Sequence, residues 1–445
     1  MFKKVLIANR GEIAIRVLRS CKELGIETVC IYSTADEDSL HVKMADESVC
    51  IGPAKSINSY LNMHAVLSAA EITGADAIHP GYGFLSENDE FARMCSQCGI
   101  EFIGPNIDCL RSMGDKIESK KIAKQAKVPT LEPIYVNNLS DTEIIKAVDE
   151  MTYPILIKAS AGGGGRGMKK IDSSKDLLKS ISILKQESQL AFGDDTLFIE
   201  KYITNPRHIE IQILADKHGS ILHLGERDCT IQRRFQKVIE EAPSPVIDET
   251  TRDAMCEASI RLSKTVGYDS VGTVEYLYDL DSKKFYFMEM NTRIQVEHPV
   301  TEQRTGIDLI SNQIKVAAGN KLEISQNDVT FSGHVIEFRI NAEDPKTSMP
   351  SPGLITHYHR PGGMGVRVDD FIYTGYQVSP HYDSMISKVI VRADNRSECI
   401  NRSLRVLSET VVGGIITNIE LHKEILSNTS FRQNSYNTNF LSEKC

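Results

Sequence analysis

Residues 271–299 contain the stretch around which the rest of the chain is organised. They read Val-Gly-Thr-Val-Glu-Tyr-Leu-Tyr from 271, a polar turn over 279–284, and Phe-Tyr-Phe-Met-Glu-Met-Asn-Thr-Arg-Ile-Gln-Val-Glu-His-Pro from 285. The second segment alternates with a period of two, which predicts one extended strand. Its first face carries Phe285, Phe287, Glu289, Asn291, Arg293, Gln295 and Glu297, and its second carries Tyr286, Met288, Met290, Thr292, Ile294 and Val296. The mixed polar face indicates a functional site, and a solvated edge strand with scattered charges is the simpler alternative.

The turn over 279–284 would fold the two segments into an antiparallel hairpin. A symmetric hairpin places Glu275 opposite Glu289, and like charges directly opposed across a ladder destabilise it. Either one carboxyl group is protonated or a cation lies between the two. Asn291 adds a third oxygen ligand, and a site of carboxylate and amide oxygens suits Mg²⁺ or Mn²⁺ better than Zn²⁺. A site with so few ligands usually holds Mg²⁺ together with a substrate phosphate.

The composition is that of an ordinary soluble protein large enough for two or three domains. The chain has 445 residues, 41% of them hydrophobic and 25% charged. A formal net charge of −9 argues against a nucleic-acid partner. No apolar run is long enough for a membrane span or a signal peptide. The ten cysteines are scattered, so we expect a reducing, cytoplasmic setting.

The first part of the chain alternates between predicted strands and helices. Strands over 3–8 and 28–32 flank a helix over 11–24, and the same pattern continues to a strand at 102–103. Strand, helix and strand within about thirty residues predict a parallel sheet. We therefore expect a Rossmann-like α/β domain over residues 1–114, although the first turn, Ala-Asn-Arg-Gly at 8–11, lacks a dinucleotide fingerprint.

A glycine-rich segment follows the next predicted strand, 153–158. Residues 162–167 read Gly-Gly-Gly-Gly-Arg-Gly, and residues 168–171 are a further predicted strand. A dinucleotide fingerprint would open a helix instead. A strand–loop–strand flap that closes over phosphates with backbone N–H groups fits better, with Lys158 supplying charge. A flexible linker is the alternative.

The run from Glu226 to Lys237 has four basic and two acidic residues in an otherwise acidic chain. Such local charge indicates an anionic substrate, and a solvated helix face is the alternative. Together with Lys116, Lys158 and the predicted metal ligands, the run is typical of a protein that uses ATP to activate an acid. Residues beyond about 321 are predicted to form a further α+β region.

Two stretches resemble the signatures of the biotin carboxylase subunit of biotin-dependent carboxylases, which are ATP-grasp enzymes. They are His-Pro-Gly-Tyr-Gly-Phe-Leu-Ser-Glu-Asn at 79–88 and Glu-Met-Asn-Thr-Arg-Ile-Gln-Val-Glu-His at 289–298. The resemblance runs from Lys4 to about Leu441. It implies a Rossmann-like N-terminal domain over 1–114, an ATP-grasp domain over 115–330 whose glycine-rich lid covers about 131–203, and an α+β C-terminal domain over 331–445.

The resemblance also implies a role for individual residues. ATP would contact Lys116, Lys158, Gly164, Gly165, Glu200, Lys201, Tyr202, Ile203, His208, Gln232, Phe235 and Leu277. Glu275, Glu289 and Asn291 would hold Mg²⁺ or Mn²⁺, with two ions expected. Bicarbonate would bind at Lys237, Arg293, Gln295 and Val296, and Tyr82 would contact biotin. Glu297 would be the base that deprotonates bicarbonate to give carboxyphosphate, and Arg339 would steady the biotin enolate that attacks the released CO₂.

One residue departs from the pattern of the family. Many members have a histidine where this chain has Phe235, and phenylalanine can neither donate a hydrogen bond nor carry charge. We expect an altered affinity for ATP with the chemistry retained.

The resemblance further implies partners and a pathway. The chain lacks a Met-Lys-Met biotinylation motif, so biotin would be carried by a separate carboxyl carrier protein and passed to carboxyltransferase subunits. A cytoplasmic homodimer that serves acetyl-CoA carboxylase and fatty acid biosynthesis is expected, with no nucleic-acid or membrane partner. The alternatives are the same component of a pyruvate or propionyl-CoA carboxylase, a carbamoyl-phosphate synthase-like ligase, or a catalytically silent scaffold protein.

Overall fold

The computed structural model describes residues 1–160 and 167–442. The N-terminal region forms a parallel five-stranded sheet of order β3-β2-β1-β4-β5 with helices between the strands. Its elements are β1 Lys4–Ile7, α1 Gly11–Glu23, β2 Glu27–Ser33, α2 Leu40–Met44, β3 Glu47–Gly52, α3 Met63–Thr73, β4 Ala77–His79, α4 Asp89–Gln97, β5 Glu101–Phe102 and α5 Ile107–Gly114. The Rossmann-like α/β fold expected from the sequence is confirmed.

A second, smaller sheet of order β6-β9-β7-β8 follows. This part of the chain comprises α6 Lys116–Gln125, β6 Ile134–Tyr135, α7 Asp141–Met151, β7 Ile155–Ala159, β8 Met168–Ile171, α8 Leu177–Phe192 and β9 Leu197–Lys201. The Asp115 side chain accepts hydrogen bonds from two backbone N–H groups of the first turn of α6, which fixes where that helix begins. β7 and β8 pair antiparallel, as expected of a strand–loop–strand flap, but the glycine-rich segment 161–166 lies outside the described residues.

The largest sheet has eight strands in the order β14-β13-β10-β11-β12-β15-β20-β18. The central elements are β10 Pro206–Ala215, β11 Ile221–Arg233, β12 Gln236–Ala242, α9 Glu249–Val266, β13 Val271–Asp279, β14 Lys284–Asn291, α10 His298–Thr305 and α11 Leu309–Ala317. The basic run 226–237 is therefore a β-hairpin, and the alternative of a helix face was wrong. β12 pairs with β15, so the sheet continues without a break past residue 331.

The C-terminal region is α+β, as expected, and surrounds the end of this large sheet. Its elements are β15 His334–Asn341, β16 Gly353–Leu354, β17 His357–His359, β18 Val366–Asp370, β19 Gln377–Val378, β20 Met385–Ala393, α12 Arg396–Glu409, β21 Val411–Gly413, α13 Ile419–Ser427 and α14 Thr429–Arg432. Its apolar side chains form one core with those of β12, including Ile239 and Phe338. Throughout residues 1–160 and 167–442, every helix is too short or too polar to cross a membrane.

The strand predicted over 285–297 is shorter than its sequence pattern suggests. β14 ends at Asn291, and residues 292–297 form a loop before α10. The ladder with β13 also shifts register between Glu275 and Tyr276, which pair with Glu289 and Phe287. Because of this bulge, Phe287 and Met290 both pack in one core, whereas the sequence assigned them to opposite faces. The predicted opposition of Glu275 and Glu289 is present.

Candidate active site

A cavity of about 740 Å³ is lined by the four-stranded sheet β6-β9-β7-β8, the eight-stranded sheet and residues 9–12 and 82–84 of the N-terminal region. Most of the site residues predicted from the sequence line it: Tyr82, Lys116, Lys158, Glu200, His208, Gln232, Phe235, Lys237, Glu275, Leu277, Glu289, Asn291, Arg293, Gln295, Val296, Glu297 and Arg339. Lys201, Tyr202 and Ile203 are not among the lining residues, and Gly164 and Gly165 lie outside the described residues. The fold therefore brings side chains from positions 82 to 339 together in one site.

Glu200 of β9 is the centre of a charge cluster on the four-stranded sheet. The Lys158 Nζ lies 2.8 Å from Glu200 Oε2, and Lys120 of α6 forms an ion pair with Glu200 Oε1. Burial, and then the charge of Lys116, lowers the pKa of Lys158 to about 8. Lys116, Lys120 and Lys158 all line the cavity with this one carboxylate. Such a group of amines suits the phosphates of a nucleotide, whose negative charge favours the protonated amines.

Lys120 was missed by the sequence analysis, although a signal was present. It lies four residues after Lys116 on α6, and residues four apart share one face of a helix. Its side chain is 10% exposed and its Nζ lies 4.7 Å from the centroid of the Phe198 ring. Lys120 therefore belongs to the same buried charge cluster.

The segment after Glu200 contacts residues 152–154, which precede β7. The Lys201 Nζ donates to Thr152 Oγ1 at 2.8 Å, and the backbone N–H of Tyr202 donates to the Pro154 carbonyl at 3.2 Å. These contacts tie the end of β9 to the residues before β7. A nucleotide contact at Lys201, Tyr202 or Ile203 stays a prediction.

The Glu275 and Glu289 carboxyl groups have different electrostatic surroundings. Glu275 accepts hydrogen bonds from Lys237 Nζ at 2.9 Å and Gln295 Nε2 at 2.8 Å. Burial alone would raise the pKa of Glu275, but Lys237 and then His208 hold it well below its ordinary value. Burial, and then the charge of Glu275, raises the pKa of Glu289. Negative charge at Glu289 is therefore only partly compensated, which fits a divalent cation held by Glu289 with Asn291 and Glu275.

His208 and Gln232 form a polar contact beside Glu275. The Gln232 Nε2 lies 2.6 Å from His208 Nδ1, and the His208 Nε2 lies 3.0 Å from Glu275 Oε2. Burial alone would lower the pKa of His208, but the charge of Glu275 raises it by a larger amount, so the net shift is upward. His208 is thereby oriented by one neighbour on each ring nitrogen.

Phe235 lies at the tip of the β11–β12 hairpin. The loop contains only Arg234 and Phe235, with φ angles of +52° and +63°. Two positive φ angles are usual for Asn-Gly in such turns and unusual for Arg-Phe. The Phe235 side chain is 62% exposed and lies at the rim of the cavity. Phe235 therefore presents an apolar ring where the site opens to solvent.

Glu297 lies between two cations in the deep part of the cavity. Its Oε1 accepts a hydrogen bond from Lys237 Nζ at 2.5 Å, and its Oε2 accepts one from Arg339 Nη2 at 3.0 Å. Burial favours the neutral acid, but Lys237, Arg339 and then Arg227 lower the pKa of Glu297 well below its ordinary value. These cations favour the ionised carboxylate. Glu297 can therefore accept a proton readily only when another anion binds to the same cations and its pKa rises.

Three further residues orient this centre and were not identified from the sequence. Glu210 of β10 accepts hydrogen bonds from Lys237 Nζ at 2.6 Å and Arg227 Nε at 2.5 Å, and the fully buried Arg227 also donates to Gln295 Oε1 at 2.7 Å. The Glu87 carboxylate accepts from Arg293 Nε at 2.9 Å. Glu210 follows His208 by two positions on a strand and so shares its face, a pattern that was available in the sequence.

Models of known protein families match three successive parts of the chain. They are the biotin carboxylase N-terminal domain over residues 1–110, the carbamoyl-phosphate synthase L chain ATP-binding domain over 115–325, and the biotin carboxylase C-terminal domain over 337–443. Biotin carboxylase 1 of Bacillus subtilis is 52% identical over 442 residues, which are 99% of this chain and 98% of that relative. A pyruvate carboxylase subunit of Methanothermobacter thermautotrophicus is 49% identical over 445 residues, covering 100% of this chain and 90% of the relative.

Solved structures agree with these relatives over the whole chain. A biotin carboxylase–βγ-ATP complex from Campylobacter jejuni has a TM-score of 0.96 at 47% identity and covers 100% of this chain and 99% of that one. The biotin carboxylase domain dimer of 2-oxoglutarate carboxylase from Hydrogenobacter thermophilus, in complex with MgADP and bicarbonate, has a TM-score of 0.94 at 47% identity, with coverages of 100% and 98%. With matches to three successive family models and identity near one half over the full chain, the chain belongs to the biotin carboxylase family of ATP-grasp enzymes.

Proposed function

We propose that this protein uses ATP and bicarbonate to carboxylate biotin carried on a separate protein. One observation carries the proposal. The Glu297 carboxylate lies 2.5 Å from Lys237 Nζ and 3.0 Å from Arg339 Nη2, in the same cavity as the Lys158–Glu200 pair. A base flanked by two anion-binding cations and adjoining a phosphate-binding cluster is the arrangement that this reaction requires.

In the first step, Lys237 and Arg293 hold bicarbonate near Glu297. Once the anion shares the hydrogen bonds of Lys237, the pKa of Glu297 rises and its carboxylate takes the bicarbonate proton. The freed oxygen attacks the γ-phosphorus of ATP, the bond to the ADP oxygen breaks, and ADP and carboxyphosphate result. Mg²⁺ bound by Glu275, Glu289 and Asn291 would neutralise charge on the phosphate oxygens. Lys158 and Lys116 hold those phosphates in line.

In the second step, carboxyphosphate breaks its C–O bond to give CO₂ and phosphate. The phosphate takes the N1′ proton of biotin, and N1′ attacks the carbon of CO₂ to form carboxybiotin. Arg339 stabilises the enolate oxygen that develops on the ureido ring, because its guanidinium stays charged at any working pH. Tyr82, which lines the same cavity, would contact biotin.

The carrier would deliver carboxybiotin to carboxyltransferase subunits in the cytoplasm, and the enzyme would work as a homodimer. An acetyl-CoA carboxylase that serves fatty acid biosynthesis is the context we favour, since the relatives from Bacillus subtilis and Haemophilus influenzae bear the name biotin carboxylase alone. The 49% identity to a pyruvate carboxylase subunit supports pyruvate as the second candidate acceptor. Carboxylase activity reconstituted with carrier and carboxyltransferase from the same organism would decide between acetyl-CoA and pyruvate.

The half-reaction itself is tested by ADP release with Mg²⁺, ATP and bicarbonate, in the presence and absence of free biotin. We expect biotin to stimulate ADP release, and Glu297→Gln to abolish the stimulation while ADP binding stays within about twofold, because the substitution removes the base and keeps the shape. Glu257→Gln, a change at an exposed carboxylate of α9, is the matched control. ADP release that needs ammonia and ignores biotin would instead favour a carbamoyl-phosphate synthase-like ligase.

A further inference from the structure

The fully buried Lys388 lies directly behind the loop 292–297, which joins β14 to α10 and carries Glu297. Its Nζ donates a hydrogen bond to the backbone carbonyl of Val296 at 2.7 Å. From the structure we infer that Lys388 is a positioning residue that fixes this loop, and thereby the Glu297 base, for the reaction proposed above. The inference rests on that proposed function.

The sheet register supports this role. Lys388 of β20 pairs directly with Arg339 of β15. Arg339 holds the side chain of Glu297 at 3.0 Å, while Lys388 holds the carbonyl of the preceding residue at 2.7 Å. Two cations on neighbouring strands thus fix two consecutive residues, one by its side chain and one by its backbone. The bond to the carbonyl sets the plane of the peptide between Val296 and Glu297, and so the direction in which the Glu297 side chain leaves the backbone.

The charge of Lys388 is retained although it is buried. Burial alone would lower its pKa, but Glu12, Glu337 and Asp369 raise it above its ordinary value. The Lys388 Nζ lies 3.0 Å from Glu12 Oε1. A charged donor makes a shorter and stronger hydrogen bond than a neutral one, which favours a single loop conformation.

Glu12 extends the contact to the biotin side of the cavity. The same Oε1 atom forms the ion pair with Lys388 and accepts a hydrogen bond from the Tyr82 hydroxyl. Glu12 belongs to α1 of the N-terminal domain, whereas Lys388 belongs to the eight-stranded sheet and the loop follows strand β14 of that sheet. Lys388 therefore connects the residue expected at biotin with the loop expected at bicarbonate, and both would shift if it were removed.

A purely structural role as counter-ion to Glu12 is the competing explanation, and the choice of variants separates the two. Lys388→Met removes the hydrogen bond to Val296 but leaves Glu12 as an unpaired buried charge, which by itself destabilises a fold. The double variant Glu12→Gln/Lys388→Met removes both charges, and the amide oxygen introduced at position 12 can still accept a hydrogen bond from Tyr82. We expect the double variant to unfold at a temperature close to that of the parent.

Kinetics of biotin-stimulated ADP release and equilibrium binding of ADP are then measured on the same samples. In both variants we expect kcat to fall roughly 100-fold, since displacing a catalytic base by about 1 Å has an effect of that order. ADP binding should stay within about twofold, and Lys388→Arg should recover at least part of kcat because it keeps a charged donor. Arg396→Met, which removes a partly buried cation that pairs with Glu241, should lower stability and leave kcat unchanged.

Hydrogen–deuterium exchange of the peptide that covers residues 292–298 provides a readout independent of turnover. Faster exchange of this peptide in the double variant, but not in Arg396→Met, is the expected result. A double variant with the parent's kcat and the parent's exchange would overturn the inference. If the parent itself shows no biotin-stimulated ADP release, the proposed function fails, while the exchange measurement still decides whether Lys388 fixes the loop.

Discussion

Glu275 and Glu289 lie directly opposite each other on the antiparallel strands β13 and β14, and their surroundings shift their pKa values in opposite directions. Lys237 and His208 both contact Glu275, and they lower its pKa against the effect of burial. Burial and then Glu275 raise the pKa of Glu289. The pair is therefore electrostatically asymmetric, with negative charge disfavoured at Glu289 until a cation binds.

This asymmetry makes Glu289 the residue on which metal binding should depend. We expect Glu289→Gln to weaken binding of Mn²⁺ in the presence of ADP by about tenfold or more, since an amide oxygen is a poorer ligand for a hard cation than a carboxylate. Titration of Mn²⁺ followed by electron paramagnetic resonance measures the change. Glu257→Gln on the exposed face of α9 is the control, and equal Mn²⁺ affinities in the two variants would contradict the assignment.

The lowered pKa of Lys158 predicts a pH dependence of nucleotide binding. Burial and Lys116 bring this pKa to about 8, and nucleotide phosphates bind the protonated form better. As the pH rises through 8 the free protein loses this proton, so the affinity for ADP should fall, by up to about tenfold per pH unit well above the pKa. Calorimetric titration with MgADP from pH 7 to pH 9 tests this.

Lys158→Arg is the matched variant for that experiment. Arginine keeps its charge over the whole range, so its ADP affinity should change less between pH 7 and pH 9 than that of the parent. Parallel pH profiles for parent and variant would show that another group is responsible.

Many elements of the fold could be predicted from the sequence because their signals are local, whereas most of the cavity-lining residues named in advance came from the resemblance to a family. Alternation and helical periodicity placed β1, α1, β7 and β8 within a few residues of their observed ends. The pairing of Glu275 with Glu289 followed from the length of one turn. Residues 292–297 were predicted as strand because their sequence still alternates. They form a loop instead, which is held by hydrogen bonds with side chains distant in the sequence. Glu87 accepts from the Thr292 N–H at 3.1 Å, and Lys388 donates to the Val296 carbonyl at 2.7 Å.

The contacts that orient the site could not be predicted, because they also join residues that are distant in the sequence. Glu210 and Arg227 reach Lys237 and Gln295 across the sheet, and no spacing along the chain encodes which of several buried charges will meet. The bulge between Phe287 and Glu289 likewise leaves no trace in a strictly alternating sequence. Local patterns therefore locate a site better than they assign the partners of its residues.

Phe235 gives a third prediction, which concerns affinity without loss of chemistry. We expect Phe235→His to lower the KM for ATP by about two- to tenfold, the range of one added hydrogen bond, with kcat nearly unchanged because Lys237 is intact. Histidine also tolerates the positive φ of +63° at this turn better than phenylalanine. Phe235→Leu, which adds no hydrogen-bonding group, should leave the KM within about twofold of the parent. An unchanged KM in Phe235→His would show that the ring does not face the nucleotide.

The last prediction concerns stability and pH. The buried Glu241 of β12 accepts hydrogen bonds from Tyr436 at 2.7 Å, His334 at 2.8 Å and Arg396 at 2.7 Å, and so ties α12 and the C-terminal residues to the large sheet. Burial opposes ionisation, but His334 and Arg396 lower the pKa of Glu241 well below its ordinary value. A lowered pKa in the folded state stabilises the protein above the unfolded value of about 4.3, and this stabilisation is lost as the pH falls towards the folded pKa.

Glu241→Gln should therefore lower the free energy of unfolding at pH 7 by about 3 kcal/mol, because it leaves the largely buried Arg396 without its anion. The difference between parent and variant should shrink as the pH is lowered below about 4, where the parent loses the same interaction. Urea denaturation at pH 7 and at acid pH measures both values. Glu420→Gln on α13, whose carboxylate is exposed and pairs with Lys423, should change stability little at either pH. A difference that stays constant with pH would mean that the effect of Glu241→Gln comes from packing and not from the ionised carboxylate.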